Sequence, residues 1–336
     1  MSDDITYRQA IALQPTSLEA SLSAVSAALE TLDVEPLKKG TTVIVGIGAS
    51  LYAANVGAAQ MRSQGIRAFA LPGTDLYDAS IDAADAYIAL SASGRSVEPA
   101  RAVELRPDAP TYGIAKAVET PLSKVVRYTL ATQSGADSGP NTTSYLGSLL
   151  TMGLLADKVG SASGTDWQAL PAAAATVLAA VAGQVEKAAK LFYGRKAIDC
   201  VGSSCAYGTA GYTALLIREA VRVAAQDWDT LNFLHGPMEP NDSETGVILF
   251  GNGREVSLAQ TLAGFGIPAL LITDRTDISD AENLVVVHVP AFSAGLGDAI
   301  LQAIPAQLLV ASLSEAAGLP VCEFRYRQTD TKLTPA

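Results

Sequence analysis

The 336-residue chain carries 34 acidic residues against 23 Lys and Arg, a net charge of −11. That balance argues against nucleic acid or an anionic membrane as its main partner. With 49% hydrophobic and 17% charged residues it can bury a large core, which excludes disorder, and its length suits two ordinary domains. Cys200, Cys205 and Cys322, in no CxxC spacing, point to reduced thiols in a cytoplasmic protein rather than a disulfide framework or a zinc site. No apolar run follows the acidic residues 1–4, so no signal peptide is expected.

Residues 1–38 are expected to be helical, with Thr16 or Ser17 as N-cap and Leu22, Val25, Leu29 and Leu32 on the apolar face. The β-branched run 42–45 predicts a buried strand, 46–50 a glycine-rich turn and 51–65 a helix. Strands follow at 67–71, 87–90, 111–115 and 128–131, with a helix over 98–105 and a long one over 142–158. Strands alternating with helices predict a parallel α/β sheet. The Gly/Ser-rich stretch 160–167 reads as a linker and 168–192 as a bridging helix; the apolar run 170–182 within it is too short to span a membrane. The pattern then repeats: a strand at 197–201, a turn at 202–205, a helix over 207–223, strands at 246–250, 268–273 and 284–289, and a helix over 299–317.

This repetition reads as an internal duplication. Gly48-Ala49-Ser50 matches Gly202-Ser203-Ser204, 154 residues on, and Gly94-Arg95-Ser96-Val97 matches Gly253-Arg254-Glu255-Val256, 159 residues on. The expected organisation is an N-terminal helical segment (1–39), a first α/β subdomain (40–165), a linking helix (166–192), a second subdomain (193–320) and a C-terminal tail (321–336).

The segment Leu90-Ser91-Ala92-Ser93-Gly94-Arg95-Ser96 joins a strand to a helix. Backbone N–H groups and the helix dipole at such a turn favour negative charge, and three serine hydroxyls add donors. On the residues alone it is either a polar turn or an oxyanion cradle. In an open parallel sheet, ligands bind beyond the carboxyl ends of the strands, where the turn bearing Gly48 and Ser50 also lies. The second copy has Phe250, Asn252 and Glu255 in place of Ser91, Ser93 and Ser96. A glutamate there repels an anion, so the first copy is expected to hold the ligand. The turn at 46–51 does not complete a dinucleotide fingerprint, since Leu51 stands where a third glycine belongs.

Two histidines are present. His288 ends an apolar run and reads as a core or strand-end residue. His235 precedes Gly-Pro in an irregular loop, where functional groups tend to sit, and it titrates near neutral pH. Glu219 lies on an apolar helix between Arg218 and Arg222. It reads either as a surface ion-pair partner or as a general base whose pKa burial would raise.

The loop L-S-A-S-G-R-S, the turn G-I-G-A-S, the duplication and F-L-H-G-P together resemble the sugar isomerase (SIS) family, in the double-domain form of the isomerase part of glucosamine-6-phosphate synthase. The resemblance spans about 40–336 and omits that enzyme's glutaminase domain, so ammonia transfer from glutamine is not expected. It implies two tandem, doubly wound, flavodoxin-like parallel-sheet subdomains with helices on both faces.

Carried over residue by residue, the family's phosphate-binding serines fall on Ser50, Ser91, Ser93 and Ser96, its proton-shuttling glutamate on Glu219 and its ring-opening histidine on His235. Its essential C-terminal lysine falls on Lys332 and a sugar-contacting position on Thr142. The resemblance implies a homodimer in which His235 reaches the partner's site, and neither metal nor cofactor. Departures from the pattern are Leu216 and Ser144 in place of lysines, Tyr212 for a glutamate, Ala92 for a glutamine and Ala49 for a threonine; Arg95 is placed to compensate in gripping the anion. The implied activity is aldose–ketose isomerisation of an anionic sugar, a hexose 6-phosphate, through an enediol. The alternatives are a sugar-phosphate deaminase or fructosamine-phosphate deglycase, an isomerase of a sulfonated sugar, and a non-catalytic sugar-phosphate-binding regulator.

Overall fold

A computed structural model describes residues 5–293, 295–321, 323–326 and 328–334. Cys322 and the acidic residues 1–4 lie outside them. The chain divides into two compact units. The first comprises Leu13–Asp137, Thr143–Pro171 and the tail from Tyr326; the second comprises the N-terminal residues up to Ala12, Ser138–Thr142 and Ala172–Arg325.

The N-terminal helix is interrupted. α1 (Tyr7–Ala12) belongs to the second unit and α2 (Gln14–Thr31) to the first. Neither Thr16 nor Ser17 is the N-cap: α2 starts at Gln14 after Leu13, so both lie inside it. The buried Ser17 hydroxyl donates instead to the Ser134 carbonyl at 2.6 Å.

In the first unit, β1 (Thr41–Gly46), α3 (Ala49–Ser63), β2 (Arg67–Pro72), β3 (Ala86–Leu90), α4 (Val97–Glu104), β4 (Thr111–Ala115), β5 (Tyr128–Ala131) and α5 (Thr143–Val159) follow in order. The strands form one parallel sheet in the order β2-β1-β3-β4-β5. β3 and β4 are buried throughout, as expected of parallel strands covered on both faces. On one face, Val43, Val45, Tyr87 and Ala89 pack with Ala100 and Val103 of α4; α3 packs on β1 and β2 and against α5, which also packs on α2.

In the second unit, the bridging segment is two helices, α6 (Leu170–Ala180) and α7 (Ala182–Phe192), bent by 58°. Then come β6 (Ala197–Gly202), α8 (Cys205–Leu216), a π-helical turn (Ile217–Val221), β7 (Ala224–Asp229), α9 (Thr230–Phe233), β8 (Gly246–Phe250), α10 (Arg254–Gly264), β9 (Ala269–Thr273), β10 (Leu284–His288) and α11 (Leu296–Ala316). The helix expected over 207–223 thus stops early. β7 and α10 were not anticipated: the polar sequence of β7, Ala-Ala-Gln-Asp-Trp-Asp, lacks a strand's apolar run because it is an edge. α11, the most apolar long helix among the described residues, has 89% of its span buried and packs against α7 and α8.

The second sheet runs β10-β9-β8-β6-β7. Read from the other end it repeats the order of the first, so the duplication extends to topology. α10 covers one face through Val256, Ala259 and Leu262 against Val247 and Leu249, and α8 packs on β6 and β7. The matching registers differ from those expected. Gly46 and Gly202, the last residues of β1 and β6, are 156 apart. Gly48 (φ 56°, ψ −132°) corresponds to Ser204 (φ 57°, ψ −122°), so glycine aligns with serine in one left-handed turn. The β3–α4 loop is three residues longer than the β8–α10 loop. Counted from the helix starts, Glu255 therefore corresponds to Glu98, not to Ser96.

Candidate active site

In the first unit, two strand-to-helix turns carry the serines. α3 has no side-chain cap; Ser50, its second residue, is half-buried. The loop 91–96 is fixed by its neighbours: the N–H of Lys116 donates to the Ala92 carbonyl at 2.8 Å and that of Leu122 to the Gly94 carbonyl at 2.9 Å. Gly94 is at φ +64°, and a Cβ there would lie 2.4 Å from the Thr120 side chain, so the turn admits only glycine without strain. Ser91 is buried and its Oγ accepts from the Ser96 N–H at 3.2 Å. Exposed Ser93 accepts from the Arg95 N–H at 3.3 Å and lines, with Arg95, Thr120 and Lys124, an open cavity of about 450 Å³. Among the described residues, the hydroxyls of Ser50, Ser91, Ser93 and Ser96 donate no hydrogen bond. The four protons and the uncapped N-termini of α3 and α4 form a donor set suited to an oxyanion.

The tail is laid on this loop. Lys332 pairs with Ser96 in an antiparallel bridge, and the Leu333 N–H donates to the Arg95 carbonyl at 2.7 Å. Arg95 Nε donates to the Leu333 carbonyl at 2.9 Å, so this arginine holds the tail. The Leu333 side chain packs on the Val43–Tyr87 core. Lys332 Nζ donates to Ser96 Oγ at 2.9 Å. Burial pushes its ammonium below the usual lysine range; the Glu98 carboxylate opposes that shift and the Arg95 guanidinium adds to it. At the start of α5, Asp137 accepts from the N–H groups of Thr143 and Ser144, each at 3.2 Å, and from the Ser144 hydroxyl. That helix end is thereby satisfied by a carboxylate.

In the second unit, Glu219 sits in the π-helical turn that extends α8. Equivalent contacts bracket this turn. In the first unit Arg62, at the end of α3, donates to the carbonyl of Ala68, six residues on; Arg218 donates to the carbonyl of Ala225, seven residues on. The π turn is a one-residue insertion, and the carboxylate lies within it. Such turns recur at functional sites. It closes at Arg222, a non-glycine residue at φ +62° whose N–H bonds the Ile217 carbonyl, a conformation costing about 1–2 kcal/mol.

Both arginines flanking Glu219 are committed elsewhere, Arg218 to the Ala225 carbonyl and Arg222 to that of Glu323. Among the described residues, the Glu219 carboxylate has no hydrogen bond or ion pair, which removes the surface ion-pair reading. Burial alone lifts its pKa to about 7. Leu216 is buried one turn earlier. Tyr212, fully buried, donates to the Asn141 carbonyl at 2.6 Å and accepts from Gln307 at 2.9 Å. Thr142 is fully buried just before α5.

His235 is exposed, two residues after α9. Its loop is anchored by buried Phe233 and by Asp229, which caps α9 through the N–H groups of Leu231 and Asn232. His288 is the exposed last residue of β10.

The second unit's counterpart of the cradle is filled from within. Glu255, buried, accepts hydroxyl hydrogen bonds from Ser203 at 2.8 Å and Thr230 at 2.5 Å, and its Oε2 fills the space beside Gly251. Sequence reasoning took Glu255 as a repulsive charge and missed that it is an internal ligand. It also passed over Asp137 and Glu98. An acidic residue in a helix's first turn is too common a pattern to single out.

No family model matches the sequence. Maleylacetate reductases from Pseudomonas sp. (strain P51) and Delftia acidovorans are each 31% identical over 91 residues, 27% of this chain and 24% of theirs; the chain thus matches about a quarter of the length of these relatives. Solved structures align over nearly the whole chain. The C-terminal domain of glucosamine-fructose-6-phosphate aminotransferase from Francisella tularensis is 16% identical with a TM-score of 0.82, covering 95% of this chain and 98% of that one. Tagatose-6-phosphate ketose/aldose isomerase from Escherichia coli is 19% identical with a TM-score of 0.81, covering 97% and 98%. Glucosamine-6-phosphate deaminase from Thermotoga maritima is 20% identical with a TM-score of 0.74, covering 93% and 97%. The chain has the two-subdomain α/β fold of these sugar-phosphate proteins.

Proposed function

We propose that this chain is an aldose–ketose isomerase of an anionic sugar of the hexose 6-phosphate class. The observation that carries the catalytic reading is Glu219: a half-buried, unpartnered carboxylate at a π turn, with a pKa of about 7. A group so poised exchanges a proton in both directions near neutral pH, which general acid–base catalysis requires. The unspent serine donors of the first unit support the anion, and the fold shared with a tagatose-6-phosphate isomerase supports the substrate class.

In this reading Ser50, Ser91, Ser93 and Ser96, with the backbone around Gly48, hold the phosphate. His235 opens the sugar ring by moving a proton between the ring oxygen and the anomeric hydroxyl. Glu219 then takes the proton from C2 and returns it to C1 of the enediol, and Lys332 stabilises the oxygen that gains negative charge. Thr142 contacts the sugar. The protein acts as a cytoplasmic homodimer, with the exposed His235 loop serving the partner's site.

The test is proton exchange. With hexose 6-phosphates in D₂O, the native protein is expected to wash deuterium into C1 or C2, seen by NMR, and Glu219→Gln to lower the rate by about 10²–10⁴-fold. Full turnover by that variant would remove Glu219 from the mechanism; no exchange with any hexose 6-phosphate would overturn the isomerase reading. The fold shared with a glucosamine-6-phosphate deaminase supports a second reading, release of an amine from an amino-sugar phosphate through the same groups. Ammonia in the assay distinguishes the two.

A further inference from the structure

We propose that Glu98 is a positioning residue for Lys332, its carboxylate holding the ammonium charged and seated on Ser96 above the anion cradle. The inference rests on the reading of Lys332 as a site residue, but its geometry is independent of the reaction. Glu98 is the second residue of α4, two positions after Ser96, the residue that receives Lys332 Nζ. Its Oε2 is buried and has no hydrogen-bond partner. An unpaired buried carboxylate oxygen is costly and calls for an explanation.

The duplicated second unit supplies one. At the same helix position, Glu255 is satisfied by the Ser203 and Thr230 hydroxyls. In the register of the strands and turns, those donors correspond to Ile47 and Gly73 in the first unit. Neither offers a side-chain proton, so Glu98 keeps its charge uncommitted. The cation brought near it is Lys332, which no carboxylate approaches within ion-pair distance among the described residues. Three groups act on this ammonium: Ser96 Oγ and Arg95 from the loop, and Glu98 from α4. The Glu98 charge also acts on Tyr77, over whose ring Arg101 lies at 5.7 Å. Burial and Arg95 both favour loss of the lysine proton, and Glu98 is the one that opposes them. Without it, Lys332 would discharge more readily and lose its hold on a negative oxygen.

The experiment follows Lys332 itself. Protein labelled at lysine side chains, with the Lys332 signal assigned by its loss in Lys332→Met, is titrated by NMR without any sugar. Glu98→Gln is expected to make Lys332 titrate at lower pH than in the native protein, while Glu104→Gln, at the exposed end of the same helix, leaves it unchanged. If Lys332 titrates alike in Glu98→Gln and native protein, the proposal is wrong. Should Glu98→Gln fold poorly, Glu98→Asp decides: drawing the carboxylate back by one methylene is expected to lower the Lys332 titration part of the way, and an unmoved Lys332 overturns the coupling. With an active substrate in hand, Glu98→Gln should lower kcat by about tenfold with a smaller change in KM, and move the alkaline limb of the pH profile down. A normal Lys332 shift with no effect on turnover would fault the mechanism above, not the pairing.

Discussion

The two units carry the same sheet order, the same left-handed turn before the first helix and the same strand-to-helix junction after the third strand, yet they treat negative charge in opposite ways. In the second, the Glu255 carboxylate is drawn into its own turn and bonded by two hydroxyls. In the first, four serine hydroxyls donate to nothing within the described residues and a lysine is added from the tail. The duplicated turn has thus taken two courses: one copy is satisfied internally by a carboxylate, and the other keeps its hydroxyl donors unspent among the described residues. The second difference is the one-residue π insertion after α8, absent after α3, which carries Glu219. In the proposed reading, one copy supplies the anion site and the other the proton-transfer group.

The strongest way to break this contrast is to give the first unit the second unit's solution. Ser91 Oγ already accepts the Ser96 N–H. Ser91→Asp would place a carboxylate on the same donor, compete for the remaining ones and repel a second anion. Charge-assisted hydrogen bonds are worth roughly 1.5–3 kcal/mol each, so affinity for a hexose 6-phosphate should fall about a thousandfold while the protein still folds. Calorimetry reads the affinity and a melting curve the fold. Unchanged affinity would show that the anion binds elsewhere.

Glu219 offers a pH test of the other difference. Its folded pKa of about 7 exceeds the ordinary 4.5, so between these values the native state holds a proton that the unfolded state has released. Stability should therefore fall as pH rises through this window, by up to about 3 kcal/mol. Glu219→Gln should flatten that slope in a urea-denaturation series from pH 4.5 to 7.5. Ser63, the corresponding residue at the end of α3, carries no carboxylate.

Much of this architecture was legible in the sequence, and what was not had physical causes. Strands buried on both faces announce themselves as apolar runs, which is why β3, β4 and β8 lie close to where the pattern put them. β7 is an edge and α10 follows a turn of only three residues, so neither has that signature. The duplication was visible but its register was not. Matching glycine to glycine gave 154, whereas the backbone pairs Gly48 with Ser204, because an exposed left-handed turn tolerates serine when the fold enforces it. The serine loop and Glu219 were readable because hydroxyls at a turn and a carboxylate amid apolar neighbours are chemically conspicuous. The role of Glu255 depends on hydroxyls 52 and 25 residues away in sequence, which only the fold brings together.

A smaller effect separates the two loop glycines. Gly94 has a positive φ and Thr120 against it, whereas Gly253, at φ −102°, has nothing nearer its missing Cβ than Glu255 Oε2 at 3.5 Å. Gly94→Ala should destabilise the protein by about 2–4 kcal/mol through conformational strain and steric displacement. Gly253→Ala should cost under about 1 kcal/mol. Equal losses in denaturant melts would mean that the cradle loop is no more constrained than its shorter counterpart.

The smallest change concerns the carboxylate that closes the second turn. Glu255→Ala removes the acceptor shared by exposed Ser203 and buried Thr230 and leaves both hydroxyls without their carboxylate partner. Losing one side of a buried hydrogen bond costs about 1–3 kcal/mol, but water entering the vacated volume would re-pair the hydroxyls and keep the loss near the lower end. Because the emptied turn then resembles the first, inorganic phosphate or sulfate should restore part of the lost stability in proportion to its concentration, and should do so less for Glu255→Gln, which keeps an acceptor oxygen in place. Sugar-phosphate binding to the first unit should be unaffected in either variant. Anion rescue confined to Glu255→Ala would establish that the side chain stands in for an oxyanion. A stability loss that no anion repairs would mean that the carboxylate serves only as a structural hydrogen-bond acceptor.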